Sequence, residues 1–201
     1  NFSKNDVKNR ENNLKLFLEN GLPNKKDEDW KFTDLNFIIK KNFNSIFINE
    51  DIKIDEKIKL IEDFDHNHII LVNGYYHSSD MRFEEKGKVK IERLNTFENF
   101  KYNSGNNLSL LNRALSIGGF NLEVKENYKC KKPIIIYNYF TSNLDNKIIN
   151  NSNKIKLNQK SELTLLEYNL SDKSKFIKNT FEVIELDRDS VLKNIMIQKA
   201  K

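Results

Sequence analysis

Apolar residues first recur at helical spacing, with Val7, Leu14, Phe17 and Leu18 on one face of a helix that Gly21 and Pro23 should stop. A charged run from Lys25 to Leu35 follows and carries the chain's single Trp, Trp30. Within it Thr33 or Asp34 stands where the N-cap of a short helix through Lys40 belongs. Between Asn44 and Lys59 no period dominates. From His66 the pattern changes: His68 to Val72 predicts a short buried strand, and Asn73-Gly74 a tight turn. Tyr75-Tyr76 and Lys88 to Ile91 would supply its partner strands, with Gly87 turning between them. Leu108, Leu111 and Leu115 predict a compact helix ended by Gly118-Gly119, and beyond it the chain is almost entirely strand-like.

The strand-like part contains a repeat. Ile155-Lys-Leu157-Asn-Gln-Lys-Ser161-Glu-Leu163 matches Ile184-Glu-Leu186-Asp-Arg-Asp-Ser190-Val-Leu192 at a shift of 29 positions. Each copy alternates apolar residues, turns through polar ones to a Ser, and alternates again. A looser copy runs from Leu122 and Val124 through Asn127 to Pro133 and Tyr137. Strand–turn–strand units at this period predict stacked rungs, hence a right-handed β-solenoid; an ordinary β-sandwich is the alternative. The expected organisation is a mixed α/β region over 1–118, then the first rungs of a β-helix over 119–201 that continues beyond the chain end. An open last rung would invite self-pairing, so a homodimer is the corresponding expectation.

Composition narrows the function classes more than it selects one. The charge is +5, from 34 basic against 29 acidic residues, but only five of the basic residues are Arg. Scattered Lys among 31 Asn reads as an AT-rich codon bias, not as the clustered Arg forks that recognise phosphate and bases. Nucleic acid is therefore not an expected partner. The apolar stretches Phe37–Ile39, His68–Val72 and Pro133–Phe140 are too short to span a bilayer, so no membrane role is expected. No secretory pattern opens the chain, although Asn1 is not an initiator Met. A single cysteine, Cys130, makes no internal disulfide and fits a reducing, cytoplasmic setting.

Candidate chemistry is sparse. His66 and His68, two apart on a strand, could share a metal, with His77 or an acid as third ligand, but no spacing selects one. Cys130 lies among Lys129, Lys131 and Lys132, whose charges would favour a thiolate, yet no His follows closely. Asp187 and Asp189 alternate as acids do in carbohydrate-active β-helices, but they sit in the predicted turn, where Asp is favoured for backbone reasons. Gly118-Gly119 lacks the context of a phosphate-cradling loop and reads as punctuation. The residues predict a structural or interaction domain, with no catalytic residue, no resident cofactor and no metal.

The run Gly21-Leu22-Pro23-Asn24-Lys25-Lys26-Asp27-Glu28-Asp29-Trp30-Lys31-Phe32-Thr33-Asp34-Leu35 resembles the N-terminal signature of SufD proteins, within the SufB/SufD family of the SUF iron–sulfur cluster assembly machinery. Ile70 to Gly74, Leu111-Asn112-Arg113-Ala114-Leu115 with Gly118-Gly119, and Lys132-Pro133-Ile134 resemble the family in the same order. Asn179-Thr180 with Glu182 to Leu186, and Ile195 to Gln198, resemble its rungs. Asn24 departs from the usual small hydroxyl residue, and the family's later rungs, helical domain and late His have no counterpart here. The resemblance implies a scaffold that pairs with SufB and works with the SufC ATPase, while cluster and ATP are handled by the wider complex. SufB itself and a polysaccharide-active β-helix enzyme are the alternatives. Gly21, Leu22, Pro23, Glu28, Trp30, Thr33 and Asp34 carry the signature and are expected to be structural, with Trp30 packed.

Overall fold

The computed structural model describes residues 3–43, 45–46, 58–94, 107–116, 118–171 and 175–197. Gln198 and the chain end at Lys201, which figure in the rung match and the open-edge expectation, lie outside the described residues.

Helix α1 (Lys4–Asn20) starts at Ser3, whose hydroxyl accepts the Asp6 N–H at 3.1 Å. It ends at Gly21, where φ is 72° and the N–H reaches Phe17 O at 2.7 Å. The apolar face expected to pack is only partly used: Val7 and Leu18 are exposed, while Asp6 is buried and paired with Arg10 at 2.9 Å. Arg10 also donates to Ala114 O at 3.2 Å, so polar groups tie α1 to helix α3 (Asn107–Leu115). Helix α2 (Leu35–Asn42) is capped by Asp34, which accepts the Phe37 N–H at 2.9 Å.

Ten strands form two five-stranded sheets among the described residues. The first holds β1 (Ser45–Ile46), β4 (Val89–Arg93), β5 (Phe120–Val124), β7 (Lys147–Leu157) and β9 (Phe176–Leu186). The second runs in the order β10 (Val191–Ile197), β8 (Glu162–Ser171), β6 (Ile134–Phe140), β2 (Asn67–Val72), β3 (Tyr75–Asp80). From β5 onward the chain alternates between the sheets, and from β7 onward each strand pairs in parallel with the strand two before it. The 29-residue repeat is the register itself: Ile155 lies beside Ile184, Leu157 beside Leu186, and Glu162 beside Val191. Strands that precede Gly118 enter the same two sheets as those that follow it.

The turn in each repeat stacks as well. Asn127, Lys160 and Asp189 are left-handed, at φ 56°, 55° and 57°. Asn127 N–H donates to Gln159 O and Lys160 N–H to Arg188 O, at 2.9 and 3.0 Å. Ser161 and Ser190 close their turns identically, each hydroxyl reaching the carbonyl three residues back at 2.7 Å.

Alternation along the strands sorts side chains to two faces. Ile69, Leu71, Ile134, Ile136, Leu163 and Leu165 from one sheet meet Phe120, Leu122, Val124, Ile155 and Leu157 from the other in a single apolar core. Ile70, Val72, Ile135 and Tyr137 point the other way and are covered by Ile58, Leu60 and Ile61, so β2 and β6 are buried on both faces. Helix α3 covers the outer face of β7 and β9. One expected pairing is corrected: β4, the Lys88–Ile91 segment, does not join the Asn73-Gly74 hairpin. It pairs antiparallel with β5 in the other sheet, because Val89 and Ile91 close the edge of the main core there.

Candidate functional site

The signature segment folds as a chain of local hydrogen bonds. Asn24 N–H donates to Asp27 Oδ2 at 2.8 Å, Lys26 N–H to Asn24 Oδ1 at 2.9 Å, and Thr33 N–H to Trp30 O at 2.9 Å across a short 3-10 turn over Glu28–Trp30. Asn24, the departure from the usual hydroxyl residue, still supplies the turn acceptor. Pro23 is buried, Gly21 and Leu22 are half-buried, and Glu28, Thr33 and Asp34 are exposed. Trp30 is half-buried, so its packing is partial. The outward apolar residues are others: Phe32 is 91% exposed, with Leu18 and Phe37 also open.

His66 and His68 line a cleft of about 500 Å³ with Ile58, Phe64, Arg82 and Phe83. His66 lies just before β2, and both its ring nitrogens are used. Nδ1 is 2.9 Å from Phe64 O, which only accepts, so Nδ1 carries a proton, and Nε2 is hydrogen-bonded with Tyr137 OH at 2.9 Å. Tyr137 OH in turn accepts the Ile61 N–H at 3.0 Å. Burial is the main cause that lowers the His68 pKa, against the opposing pull of Asp80. Asp80 is held below the usual carboxylate range by Arg82, its ion-pair partner. The two imidazole centroids are 6.4 Å apart, and His77 stands exposed on β3, bonded to Ser78. Among the described residues no three His, Cys, Asp or Glu come together as a metal site.

Cys130 is half-buried, and burial followed by the Glu84 charge pushes its thiol up to about 12, the opposite of activation. The lysines expected to favour a thiolate are engaged elsewhere: Lys129 with Glu162, Lys131 with Glu85 at 3.0 Å, Lys132 with Asp65 at 3.2 Å. Asp187 and Asp189 lie in the exposed stacked turn, Asp189 beside Arg188 at 3.4 Å. Gly118-Gly119 does more than punctuate. Gly119 has φ 121°, and a Cβ there would stand 1.7 Å from Ser152 O, so only glycine lets this segment run against β7.

Two polar hubs each tie several elements together through side-chain bonds, and neither stood out in the sequence. Glu84 accepts from Asn67 Nδ2 and Tyr128 OH at 2.7 Å, and from the N–H groups of Lys131 and Lys132 at 3.1 and 3.2 Å. It thereby joins the 81–88 loop to β2 and to the loop before β6. Asn112, fully buried on α3, donates to Asn151 O at 2.9 Å and Asn179 O at 2.6 Å, and accepts from Ser152 Oγ at 2.7 Å. It therefore bridges β7 and β9. The only sequence signal for it was its place inside the Leu111-Asn112-Arg113-Ala114-Leu115 motif.

These arrangements pin strands and helices to one another; Asn112 and Lys132 within them lie in the motifs at 111–119 and 132–134, and the motif at 70–74 forms the end of β2 and its turn. No helix among the described residues is long and apolar enough to cross a membrane. No curated protein sequence matches the chain. Residues 5–136 match the SufBD protein N-terminal region, a span that takes in every one of those motifs and the signature at 21–35. With more than half of its length so matched, the chain belongs to the SufB/SufD family, which works in SUF iron–sulfur cluster assembly.

Proposed function

We propose that the chain is a SufD-type subunit, a non-catalytic cytoplasmic scaffold that pairs with SufB and works with the SufC ATPase. In this reading the strands from Phe120 onward are the first coils of a right-handed β-solenoid. The observation that carries it is the in-register parallel stacking of β7 on β9 and β8 on β10 at a constant 29 residues. Stacked coils of this kind make a stiff rod that passes force between partners without chemistry of its own. The signature at 21–35 supports the SufD assignment over SufB, and the raised thiol pKa of Cys130 fits a subunit whose own cysteine does not handle sulfur.

Co-purification of the full-length gene product with SufB and SufC tests this. A ternary complex containing all three is expected, with SufC hydrolysing ATP and this subunit contributing no turnover. Replacement of SufB by this product, with a cluster assembled on its own cysteines, would make it the SufB paralogue. Hydrolysis of a polysaccharide by the purified product would replace the scaffold reading altogether.

A further inference from the structure

Midway along the strands, the side chains that face between the two sheets form a polar belt. On β7 the core-facing positions run Ile149, Asn151, Asn153, Ile155; on β9 the partners of the first three are Lys178, Thr180 and Glu182. Glu167 of β8, 7% exposed, and Asn138 of β6 complete the belt from the other sheet. Thr180 Oγ1 donates to Asn151 Oδ1 at 2.7 Å. Glu167 is held twice through one oxygen, Oε1: Lys178 is ion-paired with it, and Asn138 Nδ2 donates to it at 2.8 Å. Glu182 accepts one bond among the described residues, from Asn153 Nδ2 at 3.2 Å.

Three of these side chains ionise, and their charges do not balance. Lys178 brings one positive charge, while Glu167 and Glu182 bring a negative charge each. Among the described residues the other groups that face Glu182 leave that sum unchanged. Asn151 and Asn153 on β7, Asn138 on β6 and Thr180 on β9 are neutral, and so are Asn194 and Met196, the β10 partners of Leu165 and Glu167. Lys154 and Glu185 alternate to the outer face, where they pair with each other at 2.8 Å. A partly buried carboxylate with a like charge nearby binds its proton more tightly than an ordinary one. Of the two, Glu182 is where that proton belongs, because Lys178 and Asn138 already stabilise the Glu167 charge. The Glu182 pKa is accordingly raised: burial is the main cause and the Glu167 charge adds to it, against the Asn153 hydrogen bond and the Lys178 charge.

We infer that Glu182 makes this belt a proton-sensitive latch on β9, closed when its carboxyl is neutral and loosened when it ionises against Glu167. β9 is the strand on which such a latch acts: among the described residues it pairs with β7 alone, and Asn112 ties α3 to its Asn179 carbonyl. The sign follows from the direction of the shift. A carboxyl that holds its proton more tightly in the folded chain gives stability that is complete below the ordinary glutamate value, about 4.3, and lost as pH rises through the raised one. Mild acid therefore tightens β9, the reverse of its effect on a carboxylate such as Asp80, whose pKa its Arg82 partner lowers. The latch is independent of the scaffold reading, since it rests on charges within this chain alone.

Carbon-13 NMR of the glutamate carboxyls of the 201-residue chain, followed across pH, reads the proton directly. The resonance absent from Glu182→Gln should titrate above the ordinary glutamate value. In Glu167→Gln it should move down, because the like charge is gone and Lys178 is left to Glu182 alone. A Glu182 resonance that titrates at or below the ordinary value would overturn the inference, and so would a raised one that Glu167→Gln leaves in place. Urea unfolding gives the second readout, because Glu182→Gln mimics the neutral carboxyl at every pH. The parent's folding constant should match that of Glu182→Gln in acid and fall below it as pH rises, by up to about tenfold for each unit that separates the folded and unfolded values. Amide hydrogen exchange compared between the two proteins should place that loss in β9. Parallel pH profiles for parent and Glu182→Gln, or a loss that spares β9, would refute the latch. If Glu167→Gln does not fold, the comparison of parent with Glu182→Gln decides by itself.

Discussion

Replacing Asn112 by Leu removes the joint between α3 and the β7–β9 pair while keeping side-chain volume close to that of the parent. Three hydrogen bonds vanish: two donated to the carbonyls of Asn151 and Asn179, and one accepted from Ser152 Oγ. All three fall at a residue with no exposed surface, and Ser152 is itself 1% exposed, so water cannot replace them without opening the helix–sheet contact. At about 1 kcal/mol net for each bond, Asn112→Leu should cost about 3 kcal/mol. For a chain of this length that is a fall in Tm of about 6–12 °C. Asn112→Ala should cost about 1–2 kcal/mol more, because a cavity is added to the lost bonds. Urea unfolding followed by circular dichroism, with parent, Leu and Ala variants side by side, measures this. The double variant Asn112→Leu with Ser152→Ala should show a coupling of about 1 kcal/mol, since each single change breaks the same bond. A cost below about 1 kcal/mol for Asn112→Leu, or no coupling with Ser152, would refute the view that this amide anchors α3.

Gly119→Ala should abolish folding or cost more than about 3 kcal/mol, because its Cβ collides with a backbone carbonyl; Gly87→Ala, with open space around it, should cost only about 1 kcal/mol of left-handed strain, and thermal melts separate the two. Lys160→Gly should raise stability by about 0.5–1 kcal/mol in urea, since φ there is 55° on an exposed turn. Cys130 should resist iodoacetamide at pH 8 in the folded protein and react at least about 100-fold faster in urea, as mass spectrometry would record. Its raised thiol pKa, and that of the Tyr128 hydroxyl, also at about 12, give stability that is complete below the unfolded values and lost as pH rises from about 9 to 12; Cys130→Ala should flatten that slope.

What could be read from the chain was its strictly local or strictly periodic content. Gly21 stops α1, Asp34 caps α2 and Asn73-Gly74 turns β2 into β3, because each acts through the backbone of its own neighbours. The 29-residue repeat was readable because alternation and a Ser-ended turn recur together, and parallel in-register strands place equal positions side by side. Other features depend on distant partners. The pairing of β4 with β5 is set by which core edge needs covering, and sequence adjacency points instead to the nearer hairpin. In α1 the apolar spacing suggested the buried face, but an Asp6–Arg10 pair fixed by Ala114 took that place. Asn112, Asn138 and Asn151 were hidden by abundance: among 31 asparagines nothing local separates a buried one from a solvated one.

The polar belt between the sheets also bears on how the strands find their register. Apolar alternation alone specifies only which face points inward, so a slip of two residues between β7 and β9 would keep every face and still stack Ile, Leu and Val against one another. With the belt present, that slip sets Asn151 or Asn153 against a different partner and separates Asn153 from Glu182 or Asn151 from Thr180. It would also carry Lys178 away from Glu167 on the facing sheet, leaving a buried carboxylate without its cation. An apolar residue at each of those positions would remove these penalties and make the two-residue slip nearly neutral. Interior polar pairs at mid-strand, flanked by apolar clusters at both ends, therefore select one register out of several that hydrophobic packing would accept. The stacked turns add a second constraint at the strand ends, where Lys160 and Asp189 meet one repeat apart.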